Sequence, residues 1–89
     1  ILNSASGSKS GDAMQAAVRD AMTQAGLAFD IVNIGGARDV DAAIAAAVKQ
    51  AHAQGRVIVA AGGDGTINAV ASECHVQGAL MAVIPMGTF

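Results

Sequence analysis

Val57-Ile58-Val59-Ala60-Ala61-Gly62-Gly63-Asp64-Gly65-Thr66 is the stretch on which the reading of this chain turns. Its first five residues are apolar, as expected for a strand buried in a parallel sheet. A glycine-rich turn follows, and a helical pattern begins at Thr66. Strand, glycine turn and helix start in that order suit a phosphate. Glycines admit a close backbone and positive φ. The free N–H groups of a first helical turn, and the helix dipole, favour an anion. Asp64 would repel phosphate unless a cation or ordered water stands between them. Glycines, acid and hydroxyl together point to a nucleotide phosphate with Mg²⁺ nearby.

The same logic extends outward. Ile1-Leu2 reads as the end of a first strand, and Asn3 to Gly11 as a turn-rich loop. Asp12 to Ala25 carries Met14, Ala17, Val18, Ala21, Met22 and Ala25 at helical spacing, with Ser10 as N-cap and Gly26 as stop. Phe29 to Ile34 reads as a second strand. Asp39 caps a second helix with Val40, Ile44, Ala47, Val48 and Ala51 on one face, ending at Gly55. Arg56 to Ala61 is a third strand. Thr66 to about His75 is a third helix with Ile67, Val70, Ala71 and Cys74 inward, and Ala79 to Ile84 a fourth strand. The fold class is therefore α/β, a three-layer parallel sheet in βαβαβαβ order with right-handed crossovers. Ligands in such sheets sit beyond the carboxyl ends of the strands. The loops Asn3 to Gly11, Gly62 to Gly65 and Pro85 to Phe89 all belong to that edge.

Bulk properties narrow the function. The chain has 89 residues, 53% hydrophobic and 13% charged, with a net charge of −2. That is one small folded domain with no electrostatic case for nucleic acid. Aromatics are Phe29 and Phe89, so Ala, Val, Ile, Leu and Met must build the core. Cys74 is the one cysteine and sits at an apolar helical position, as a small core residue does. Its isolation fits a reducing, cytoplasmic setting. His52 and His75 have no metal-ligand company, which argues against zinc. Arg38 and Arg56 read as surface charges, and Lys9 as a solvated loop lysine. The abrupt ends suggest a piece, residues 1–89, of a nucleotide-binding domain truncated at both ends and without its second domain.

Two familiar nucleotide motifs are absent. There is no G-x-G-x-x-G. Lys9-Ser10 matches the end of a Walker loop, but Asn3 and Ser8 stand where its glycines belong. Three other stretches carry a resemblance. Asn3-Ser4-Ala5-Ser6-Gly7 is similar to N-P-x-S-G. Gly62-Gly63-Asp64-Gly65-Thr66 with Asn68 matches G-G-D-G-T-x-N. Pro85-Met86-Gly87-Thr88 is similar to P-x-G-T. In this order and spacing they resemble the catalytic domain of diacylglycerol kinases and their relatives, the sphingosine kinases and bacterial lipid kinases. Ser4 departs from the family's usual Pro, Ala69 from a common Glu, and Phe89 from a common Gly. These departures concern the substrate subtype and not the nucleotide site.

The resemblance implies an ATP-dependent kinase acting with Mg²⁺ in phospholipid metabolism, moving the γ-phosphoryl of ATP to a lipid alcohol at a membrane surface. Asn3, Ser6, Gly7, Gly62, Gly63, Gly65, Thr66, Asn68, Gly87 and Thr88 would bind the nucleotide, and Asp64 would be catalytic and orient the metal. The acceptor base would come from a second, mainly β domain, so the 89-residue piece alone would be inactive. The protein would be cytoplasmic or peripheral to the membrane. Homo-oligomerisation stays open. The G-G-D-G-T run also occurs in NAD kinases, which makes an NAD kinase-like enzyme the main alternative. A nucleotide-binding domain without chemistry is another. The bland readings are that the glycines only make a tight turn, that Asp64 or Thr66 only caps the third helix, and that Asn3 and Ser6 only form a turn.

Overall fold

A computed structural model of the chain describes residues 1–3 and 9–85. Element order is α1 (Lys9–Gln24), α2 (Val40–Ala53), β1 (Ile58–Gly62), α3 (Asp64–Gln77) and β2 (Met81–Pro85). β1 and β2 pair in parallel with Ile58 opposite Met81 and Gly62 opposite Pro85. The structure is thus mixed helix and strand around a small parallel sheet.

Two of the four expected strands form among the described residues. The first and second are replaced by isolated parallel bridges, Leu2 to Asn33 and Leu2 to Ala61. Leu2 N–H donates to the Val32 carbonyl at 3.0 Å, and Ile34 N–H donates to the Leu2 carbonyl at 2.8 Å. Pairing stops there for a local reason. The Asn33 side chain accepts from Gly35 N–H at 2.9 Å, folding the backbone into a turn. Asp30 and Asn33 are poor strand formers in any case. The complete βαβαβαβ order is therefore not reproduced.

The core has two parts. Ile58 and Ala60 of β1 join Ile34, Ile44, Val48, Val70 and Cys74 in one cluster. Ala61 joins Leu2 and Val18 in the other. Successive strand residues point to opposite faces, so α2 and α3 meet one face of β1 while Val18 of α1 meets the other. Small residues at Ala60 and Ala61, both essentially buried, keep backbones close.

The helix faces follow the expected spacing on α2, where Ile44 and Val48 are buried and Val40, Ala47 and Ala51 half-buried. On α1 the expectation fails for Ala17 and Ala21, which are exposed, as is Ala25 just past its end, and on α3 for Ala71. Val18 is buried on α1 while Met14 and Met22 are half-buried; larger side chains reach across where alanine does not. Ser10 lies inside α1 rather than capping it. Asp39 caps α2 as expected, accepting from Ala42 N–H at 3.0 Å. α2 ends at Ala53 and the chain turns at Gly55, with Gly55 N–H on the His52 carbonyl and Arg56 N–H on that of Ala51, the hydrogen-bond pattern of a Schellman turn.

Candidate nucleotide-binding site

The site starts from register. Asn33, Leu2 and Ala61 are linked by parallel bridges, and Ala61 lies opposite Ile84 in the β1–β2 ladder. One residue further along, Ile34, Asn3, Gly62 and Pro85 form a row at the carboxyl end of the sheet. The loops expected to meet there all leave from this row. Asn3 is exposed at its place in it. Ser6, Gly7, Gly87 and Thr88 lie outside the described residues.

From the row, Gly62-Gly63-Asp64-Gly65-Thr66 turns β1 into α3. The turn differs from expectation in three ways. First, α3 begins at Asp64, two residues before Thr66. Gly63 is the N-cap, with extended backbone (φ −85°, ψ −178°), and its carbonyl accepts from Ile67 N–H at 3.1 Å. Neither Asp64 nor Thr66 is a cap; they are the first and third residues of the helix. Second, positive φ is confined to Gly62, at 150°, a conformation L side chains rarely adopt. Third, the glycines are not equivalent. A Cβ at Gly62 would meet the Thr66 side chain, with Thr66 Cβ at 3.4 Å, whereas a Cβ at Gly63 or Gly65 would have nothing within 4 Å.

α3 consequently opens without a side-chain cap. The N–H groups of Asp64, Gly65 and Thr66 come before the first intrahelical bond. The contrast with α2 is direct, since Asp39 caps that helix through its carboxylate. Asp64 and Asn68 are exposed and one turn apart, on one face of α3. Both offer oxygen donors of the hard kind that Mg²⁺ takes. Among the described residues no group of three or more His, Cys, Asp or Glu could hold a metal. Mg²⁺ here would therefore need phosphate oxygens and water for most of its shell. That fits an ion that usually takes one or two carboxylates beside a nucleotide.

Other candidates resolve simply. Cys74 is buried, and burial, then the neighbouring Glu73 carboxylate, pushes its thiol above the ordinary value. It is a core residue and not a nucleophile. His52, His75, Arg38 and Arg56 are exposed. His75 stands in the last turn of α3, where positive charge suits the dipole. Arg56 pairs with Asp30 at 2.6 Å, both partly exposed, a contact worth under about 1 kcal/mol. Ala69, where the resembling family often has Glu, packs half-buried against the larger core cluster.

A cavity of about 910 Å³ lies elsewhere, lined by Val18, Met22, Phe29, Ala47, Val57 and Val59 among others. None of the candidate nucleotide residues lines it. It follows the segment from 27 to 32, which makes no regular strand and leaves space towards α2. Its lining is mainly apolar, and the Arg56 guanidinium in it is paired with Asp30.

A family model, the diacylglycerol kinase catalytic domain, matches residues 1–89. The chain belongs to the diacylglycerol kinase catalytic domain family. No curated protein and no solved structure matched it. Membership covers all three motif stretches, including the two that reach beyond the described residues. It makes the glycine turn at the head of α3 part of a kinase-type catalytic domain. Among the described residues, no helix is long and apolar enough to cross a membrane.

Proposed function

We propose that this chain is the ATP-binding part of a lipid kinase that moves the γ-phosphoryl of ATP to the hydroxyl of a lipid such as diacylglycerol. One observation carries the reading. In a chain of this family, α3 opens uncapped at the carboxyl edge of the sheet, with empty space where Gly63 and Gly65 lack side chains. The fold has no packing need for glycine at either position, and at Gly65, inside the helix, glycine costs about 1 kcal/mol relative to alanine. A ligand that approaches the backbone closely gives both a reason.

Phosphoryl transfer depends on positioning and charge neutralisation more than on covalent chemistry by the protein. ATP with Mg²⁺ supplies the phosphoryl group and much of the neutralising charge. The chain supplies the rest. The N–H groups of Asp64, Gly65 and Thr66 face the phosphates, and Asp64, helped by Asn68, orients the metal directly or through water. Asn3, Ser6 and Gly7 line one side, and Gly87 and Thr88 the other. The base that takes the proton from the lipid hydroxyl belongs to a second, mainly β domain in this proposal. The enzyme works in the cytoplasm at a membrane surface.

Assay of the full-length protein with ATP, Mg²⁺ and diacylglycerol in mixed micelles tests the reading, with NAD as the competing acceptor. Phosphatidate formation is expected. NADP formation without lipid phosphorylation would replace this reading by the NAD kinase alternative. Nucleotide binding with neither product would leave a binding domain without chemistry.

A further inference from the structure

Gly62 and Thr66 stand apart from the rest of the glycine turn. Gly62 is buried, at positive φ, and is the last residue of β1 paired to β2. Thr66 is half-buried in the first turn of α3. Helical Cα–Cβ bonds tilt towards the helix N-terminus, so its side chain leans back over the strand end. The position a Gly62 Cβ would take lies 3.4 Å from Thr66 Cβ, 3.6 Å from Oγ1 and 3.7 Å from Cγ2. Both γ atoms therefore border the space that a Gly62 side chain would fill. Gly63 and Gly65 have no such neighbour.

We infer that Thr66 is a positioning residue: its branched side chain, astride Gly62, seats the first turn of α3 on the end of β1 and so fixes where the N–H groups of Asp64, Gly65 and Thr66 point. This deepens the nucleotide reading and rests on it, but it moves Thr66 from contacting phosphate to holding the backbone that does. The shape of the side chain matters and its hydroxyl does not. Valine keeps both γ branches and loses the oxygen. Serine keeps the oxygen and loses one branch.

The experiment compares Thr66→Val, Thr66→Ser and Thr66→Ala in the full-length protein, with two readouts. Amide hydrogen exchange of the turn 64–67 without nucleotide reports the seat whatever the enzyme's activity. Steady-state kinetics with ATP report its use. The expected result is wild-type exchange for Thr66→Val, with faster exchange for Thr66→Ser and Thr66→Ala. In those two, kcat should fall about tenfold or more with a smaller change in KM, since misplaced groups cost turnover steeply. The inference is overturned if Thr66→Val loses as much as Thr66→Ala while Thr66→Ser stays at wild type, because the hydroxyl is then the working group. It is also overturned if exchange is the same in all three variants. If exchange follows the expected order but no ATP-dependent product forms with any protein, the seat stands and the kinase reading fails.

Discussion

At the residue scale, Asp64 is the sharpest test of the site. It is exposed, it is not the cap of α3, and its carboxylate is the candidate metal partner. Asp64→Asn keeps the size and loses the charge. Turnover should fall about 10²-fold, the usual loss when one electrostatic stabiliser is removed, while the thermal midpoint stays close to wild type. Activity measured across a Mg²⁺ titration, beside a thermal melt, checks both halves; near-normal turnover at saturating Mg²⁺ would remove Asp64 from the mechanism. At Gly63 it is open space, not backbone conformation, that matters. Its φ is negative and the space around it open, so Gly63→Val should fold and still lose ATP affinity, because the added branches occupy the approach to the backbone. Equal KM values for ATP in Gly63→Val and wild type would contradict that. The candidate residues were visible in the sequence because glycine, Asp and Thr in that order follow a strand. Their separate jobs were not. Which glycine takes positive φ, and which faces empty space, depends on where the strand ends and the helix starts, and local composition is nearly the same at Gly62 and Gly63.

At the scale of elements, α2 should be the most predictable. Asp39→Ala removes a cap hydrogen bond and should cost about 1 kcal/mol. Ile44→Ala empties a fully buried position between α2 and β1 and should cost about 2–5 kcal/mol. Urea unfolding of both variants should rank them in that order; the reverse order would mean that Ile44 is not the packing centre of the helix. α2 was legible because a cap, an apolar stripe and a terminal glycine agree. Phe29 to Ile34 reads as a strand in sequence, yet the structure gives it only the bridge at Asn33. Its alternation is broken at Val32 and Asn33, and the Asn33 side chain turns the chain at Gly35. A period-2 pattern in sequence does not reveal whether a neighbour's hydrogen-bonding edge will be in reach.

At the scale of the molecule, stability should respond to pH through Cys74. Its thiol is raised in the folded state by burial and by Glu73. Above the ordinary thiol range, about 8.5, the unfolded chain releases the proton while the folded chain holds it. Stability is then lost as pH rises. Urea melts at neutral and alkaline pH should show a steeper alkaline loss in wild type than in Cys74→Ala; equal slopes would mean that the thiol is not buried in solution. The 89-residue chain by itself should transfer no phosphoryl group from radiolabelled ATP to diacylglycerol, since the acceptor base is assigned to another domain; clear phosphatidate formation by the purified chain would overturn that assignment. By itself the sequence determined the family, the helices and the composition of the phosphate turn, because short motifs, caps and helical stripes are encoded by residues near one another. Only the tertiary structure decided that Leu2 bridges Asn33 and Ala61, that Asn3, Gly62 and Pro85 share one row, and that Thr66 sits over Gly62. The first two are contacts between distant segments, set by packing and hydrogen-bond register; the third depends on where β1 ends and α3 begins, and no local pattern of side chains specifies either.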